Sequence, residues 1–151
     1  MPDIELGIQI DEEFSSEIEE GWLRQVIEKA LSVEGLSSPA ELGLVITDDE
    51  TVRRLNKKYR GIDEATDVLS FALLEEKEGA SFVMPPDGTT HLGEVIISYP
   101  QAERQAKEQG HTTGHEVALL IIHGVLHLLG YEHNTSQMRV KEIEVLSEVE
   151  S

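Results

Sequence analysis

Residues 117–129 read Val-Ala-Leu-Leu-Ile-Ile-His-Gly-Val-Leu-His-Leu-Leu, which is apolar on nearly every face of a helix. A helix without a polar face must be enclosed, either by the rest of its protein or by lipid. Lipid is excluded here, because a bilayer span needs about 20 consecutive apolar residues. This stretch is shorter, and two histidines interrupt it. The remaining elements must therefore pack around it as a central helix. Thr113 and Glu116 stand at capping-box spacing ahead of it, and Gly130 supplies a stop behind it.

The flanking sequence supplies strands and amphipathic helices to do the enclosing. Ile4, Leu6, Ile8 and Ile10 alternate with Glu5, Gly7, Gln9 and Asp11, the period of a half-buried strand. Ser16 with Glu19 forms a second possible capping box. Phe14, Ile18, Trp22, Val26, Ile27, Ala30 and Leu31 recur there at helical spacing, and Gly35 stops the run. Leu42–Ile46 is a short buried strand. Thr47 with Glu50 opens a helix through about Tyr59, striped by Val52, Leu55 and Tyr59 and stopped by Gly61. Val68–Leu74 and Gly93–Ser98 read as strands, and Glu75–Thr90, carrying Pro85, Pro86, Gly79 and Gly88, reads as a loop or irregular hairpin. Pro100 and Gly110 bound a short polar helix. Met138, Ile143, Val145, Leu146 and Val149 suggest an acidic closing helix. The interleaving is irregular, so the expected class is α+β or mixed α/β, with one mixed sheet of about four strands packed on helices. At 151 residues, one domain spanning 1–151 is expected.

Composition narrows the chemistry. Without cysteine the chain has no disulfide, thiolate metal site or thiol nucleophile. The amino terminus, Met1-Pro2-Asp3-Ile4-Glu5, lacks the basic and apolar regions of a signal peptide. A soluble cytoplasmic protein without a membrane partner is expected. Thirty acids against twelve bases give a net charge of −18, which repels nucleic acid at long range. The bases are unevenly placed, however. Five of the twelve fall in Arg53-Arg54-Leu55-Asn56-Lys57-Lys58-Tyr59-Arg60, a segment without an acid. An anionic partner is most simply handled there.

The histidines inside the central helix are the strongest chemical signal. His123 and His127 are four residues apart and share a helix face, with Cβ atoms ~5–6 Å apart. Two imidazoles so placed converge on one ion at Zn–N distances of ~2.0–2.1 Å. Gly130 turns the chain after the helix, and His133 can swing back as a third ligand, leaving a fourth position open as a catalytic zinc site requires. Ile121, Ile122, Val125, Leu126, Leu128 and Leu129 form a dry shell that favours neutral imidazole, the ligand form. The spacing matches zinc proteases of the H-E-x-x-H-x-x-G-x-x-H type, a zincin-like His-bearing helix. Gly124, however, stands where their general-base glutamate belongs. Glu116 and Glu132 are nearby but lack that spacing.

Three blocks carry a family resemblance. His123-Gly124-x-Leu126-His127-Leu128-Leu129-Gly130-Tyr131-x-His133 resembles the signature of the YbeY family, bacterial endoribonucleases of rRNA maturation. Asn56-x-x-Tyr59-Arg60-Gly61-x-Asp63-x-x-Thr66-Asp67-Val68-Leu69-Ser70-Phe71 resembles its central block, and Leu92-Gly93-Glu94-Val95-x-Ile97 its third. Ala65, Glu94 and Glu132 depart from the commonest pattern, which has Pro, Asp and Asp there. The resemblance implies a small α+β domain with a zinc site in a cleft. It implies a single-strand-specific, metal-dependent endoribonuclease that acts in rRNA processing, including the small-subunit rRNA 3′ end, and in ribosome quality control. Ribosomal or ribosome-assembly partners are implied as well.

RNA cleavage needs charge stabilisation at phosphorus and an activated nucleophile, either water or the RNA 2′-hydroxyl. One Zn2+ on three imidazoles supplies Lewis acidity, and a guanidinium can pair two non-bridging oxygens. Arg60 is the family-matched candidate for that guanidinium. Arg53, Arg54, Lys57 and Lys58 either steer RNA phosphates toward the cleft or form the solvated face of the helix. Thr66, Asp67 and Ser70 either orient groups at the site or simply open a strand, and His111 and His115 are expected at solvent. Two competing functions remain from the residues alone: a zinc peptidase with Glu116 or Glu132 recruited as base, and a ribosome-binding module with a structural metal.

Overall fold

The computed structural model describes residues 4–33, 40–72, 90–129, 140 and 142–147. Four strands, β1 (Ile4–Ile10), β2 (Ala40–Thr47), β3 (Val68–Ala72) and β4 (Thr90–Ser98), form one sheet in the order β1-β2-β4-β3. β1 and β4 both run parallel to β2, while β3 pairs antiparallel with β4 at the edge. The helices are α1 (Glu20–Val33), α2 (Asp49–Arg60), α3 (Tyr99–Gln109) and α4 (Thr113–Leu128). Residues 142–147 are also helical. The α+β class and the four-stranded mixed sheet expected from the sequence are both present.

Alternation along the strands sorts the core onto two faces. Leu42, Leu44 and Ile46 of β2, with Leu92, Val95 and Ile97 of β4, point into the main core. There they meet Leu23, Val26, Ile27, Ala30 and Leu31 of α1, Tyr99 and Ala102 of α3, and the apolar surface of α4. Val45, Leu69, Phe71 and Ile96 point the opposite way and pack under Val52 and Leu55 of α2. Helix α4 is central, with Val117, Ala118, Ile121, Ile122, Val125 and Leu126 essentially without solvent contact. It packs tightly on the sheet at Gly124. A Cβ built there would stand 2.8 Å from Val95 Cγ1 and 3.1 Å from Ser70 Oγ. The position that holds a glutamate in zinc proteases is thus filled by the sheet itself.

Several local expectations are corrected. Helix α1 opens at Glu20, not near Ser16. A 3-10 turn at Glu12–Phe14 comes first, because Asp11 N–H still donates to Ile46 O and Phe14 N–H donates back to Asp11 O. Phe14 and Ile18 are buried nonetheless, and the Phe14 ring lies 5.0 Å from that of Tyr99. The cap of α2 is Asp48, whose Oδ1 accepts from Thr51 N–H at 2.8 Å. Thr47 remains in β2, and its hydroxyl donates to Asp11 Oδ2 at 2.6 Å. Thr112, not Thr113, caps α4 by accepting from His115 N–H. In α2, Tyr59 is 58% exposed, and buried Asn56 donates to Glu64 O. In the closing segment Ile143 is 69% exposed, whereas Val145 is fully buried. Gly61 and Gly110 end α2 and α3 in the left-handed conformation at φ 72° and 74°, as read from the sequence. Gly35, residues 75–89, Gly130, Met138 and Val149 lie outside the described residues.

Candidate active-site cleft

Helix α2 ends beside β3, and α4 crosses behind it. A cleft of about 340 Å³ opens between them, lined among others by Asn56, Arg60, Thr66, Ser70, His123 and His127. Arg60 is the last residue of α2. Its side chain folds back over β3 while the residue stays exposed. Nη2 donates to Ser70 O at 2.7 Å, and the guanidinium carbon lies 5.5 Å from the centre of the Phe71 ring. One hydrogen bond and one ring thereby set the plane of the guanidinium at the cleft wall.

The opposite wall carries two imidazoles one helical turn apart. His123 Nδ1 meets Glu142 Oε1 at 2.8 Å, and His127 Nδ1 is buried. A carboxylate only accepts hydrogen bonds, so it places the proton of a neutral His123 on Nδ1 and the lone pair on Nε2. Paired neutral imidazoles are donors suited to a borderline divalent ion such as Zn2+. His133 lies outside the described residues.

The floor of the cleft is held by short polar links. Asp67 Oδ1 accepts from Val68 N–H at 2.8 Å and from the Thr66 hydroxyl at 3.3 Å. Asn56 anchors Glu64 O from below. Ser70 supplies its carbonyl to Arg60 and its hydroxyl to the contact with Gly124. Thr66 and Ser70 both line the cleft, Thr66 ahead of β3 and Ser70 within it.

The remaining basic residues lie elsewhere. Arg53 is engaged by Asp63, Nε to Oδ1 at 2.7 Å and Nη2 to Oδ2 at 3.3 Å, and Glu50 stands 3.7 Å away. The Arg53 hydrogen bond holds the Asp63 carboxyl below the usual carboxylate range. Arg54 reaches the Thr51 hydroxyl at 3.4 Å. Lys57 and Lys58 are exposed, with Lys58 Nζ 5.1 Å from the centre of the Tyr59 ring. Among the described residues lining the cleft, Arg60 is the one cationic side chain of the basic segment.

Glu116 is buried on another side of α4. It accepts from Gln105 Nε2 at 2.7 Å and pairs with His111 Nε2 at 2.6 Å. It does not line the cleft. His111 is thus drawn in from solvent, and its ring lies 4.4 Å from that of the partly buried His115. A separate acidic group, Asp11, Glu13 and Asp48, gathers its carboxylates within 4.8 Å beyond the ends of β1 and β2. Nothing in the sequence singles out Glu142, one of thirty acids without a spacing signal, whereas Asn56 opens the family-like central block with no role assigned to it.

The model of the family described as Endoribonuclease YbeY matches residues 7–150. Endoribonuclease YbeY of Dehalococcoides mccartyi is 47% identical over 136 residues, covering 87% of this chain and 79% of that protein. The Roseiflexus protein of the same name is 42% identical over 146 residues, covering 93% and 90%. That of Desulforamulus reducens is 47% identical over 146 residues, covering 91% of each. The solution structure of a Thermotoga maritima protein superposes with a TM-score of 0.64 at 26% identity, covering 95% of this chain and 88% of that one.

Proposed function

The chain belongs to the YbeY family of endoribonucleases, and on that premise we propose that it is a single-strand-specific, metal-dependent endoribonuclease of rRNA processing. Its expected work includes maturation of the small-subunit rRNA 3′ end and ribosome quality control in the cytoplasm, in contact with the small subunit or its assembly factors. Residues 1–151 act as one such domain. No helix among the described residues is long and apolar enough to cross a membrane.

The observation that carries this reading is the convergence of Arg60, His123 and His127 on one cleft from elements far apart in sequence. His123, His127 and His133 would hold one Zn2+. Bound there, the ion supplies Lewis acidity toward a phosphoryl oxygen. Arg60 does the rest of the electrostatic work as the catalytic phosphate stabiliser. A guanidinium has five N–H donors in one plane. One is engaged by Ser70 O, and the others are available to pair with non-bridging phosphate oxygens as charge develops on them. Because Ser70 and Phe71 hold the group in place beforehand, little reorganisation is needed at the moment of reaction. Lys57 and Lys58, exposed on the same helix, draw the RNA backbone toward its end.

The peptidase reading fares worse on the same geometry. The usual base position at Gly124 has no room for a side chain, and Glu116 is committed to His111 and Gln105.

The test is cleavage of a single-stranded rRNA 3′-end fragment by zinc-reconstituted protein, beside chelated protein and the Arg60→Ala variant. Cleavage lost in both controls is the expected result. Equal cleavage in all three would remove the assignment of chemistry to this cleft.

A further inference from the structure

His123 stands between two cavities. One is the cleft, and the other, of about 390 Å³, lies behind it and is lined by Thr66, Asp67, Leu119, Leu120 and Glu142. Glu142 reaches across that second cavity from the closing helical segment, and its Oε1 meets His123 Nδ1 at 2.8 Å. The pair is largely enclosed, with side chains 22% and 20% exposed. The segment itself is anchored, because Val145 is fully buried in the main core and Leu146 packs against it.

Among the described residues, the other carboxylate lining this cavity is already engaged. Asp67 Oδ1 accepts from Val68 N–H and the Thr66 hydroxyl, and Oδ2 accepts from Gln105 Nε2 at 3.2 Å. Holding the Nδ1 side of His123 therefore falls to Glu142.

We propose that Glu142 is a positioning residue for His123: its carboxylate fixes the Nδ1–H tautomer and the ring orientation that present Nε2 to a divalent ion in the cleft. The inference rests on the reading of His123 as a metal ligand. The physical basis is general. A ligating imidazole whose remote nitrogen donates to a carboxylate has one tautomer and one orientation, and it is a more basic ligand. Glu142 touches neither substrate nor metal in this role.

The measurement is zinc affinity, read by competition with a chromophoric chelator on folded, metal-free protein. Wild type, Glu142→Gln, Glu142→Ala and His123→Ala are compared. Thermal unfolding of each metal-free protein reports any effect on the fold. Glu142→Ala is expected to bind zinc about 10–100-fold more weakly. Glu142→Gln, whose amide oxygen can still accept from Nδ1–H, is expected between it and wild type. A purely structural role would lower the unfolding temperature and leave the affinity of the folded proteins unchanged. Nitrogen chemical shifts of the His123 ring supply a second readout, with the Nδ1–H tautomer expected in wild type and a mixture in Glu142→Ala. Equal zinc affinity in wild type and Glu142→Ala overturns the proposal. Zinc uptake that is absent in wild type, or undiminished in His123→Ala, overturns the ligand reading of His123 and the proposal with it.

Discussion

Replacing Gly124 by alanine tests how closely α4 and the sheet are packed. The added Cβ would lie 2.8 and 3.0 Å from the two Val95 methyls and 3.1 Å from Ser70 Oγ. The optimum for two carbons is ~3.5–4.0 Å, so the methyl contacts are short by roughly half an ångström or more. Val95 is fully buried in the main core. Overpacking of this kind costs about 1–3 kcal/mol. Against it stands a gain of about 1 kcal/mol from exchanging glycine for alanine inside a helix. The net is a loss of up to about 2 kcal/mol, where an unhindered helical glycine would show a gain. The decisive comparison is made in a Val95→Ala background. That change alone costs roughly 1.6 kcal/mol for two buried methyl-sized groups, plus a cavity term. With the methyls gone, Gly124→Ala should become stabilising by up to about 1 kcal/mol. Urea unfolding of wild type, both singles and the double closes the cycle, and a coupling of about 1–3 kcal/mol is expected. Gly124→Ala at least as stable as wild type, or effects additive to within ~0.5 kcal/mol, would refute the reasoning.

Two other outcomes follow from the geometry. Asp48→Ala should cost about 1 kcal/mol by removing the cap of α2. The Thr51 backbone N–H holds the Asp48 carboxyl below its ordinary value of 3.8. That contribution is therefore complete above about pH 4 and fades as pH falls through the lowered native value, so urea midpoints of wild type and variant should converge in acid. Lys57→Ala and Lys58→Ala should each weaken binding of single-stranded RNA and flatten its log–log salt dependence by about 0.7. Arg53→Ala, already engaged by Asp63, should leave that slope nearly unchanged. A fluorescence-anisotropy salt titration separates the two cases.

What could be read from the sequence was whatever follows from periodicity and from residues with unusual conformational freedom. The alternation in Ile4–Ile10, the all-round apolarity of 117–128 and the stop glycines Gly61 and Gly110 all map onto observed elements. Cap positions were misplaced by one residue at α2 and α4, because Thr47–Glu50 and Thr113–Glu116 mimic a capping box that neighbouring Asp48 and Thr112 provide differently. The start of α1 was misplaced because Phe14 and Ile18 are buried at helical spacing without being in that helix. At the site, the spacing of His123 and His127 was legible since both sit on one element. Their meeting with Arg60 depends on how α2, β3 and α4 pack, which no local pattern encodes. Glu142 was invisible for the same reason: it is an ordinary acid until the closing segment docks through Val145.

The strand order carries a consequence for when the molecule becomes active. Strand β4 enters the sheet between β2 and β3, both of which precede it in the chain. Helix α4, with both histidines, follows still later. Arg60 and its Ser70 partner are therefore synthesised well before the opposite wall of the cleft exists. Long-range parallel pairing is also slow to form. A half-made chain emerging from a translating ribosome thus carries Arg60 and Ser70 without the histidine helix. On the proposed function it gains activity only after synthesis has passed α4, His133 and Glu142 and the sheet has closed.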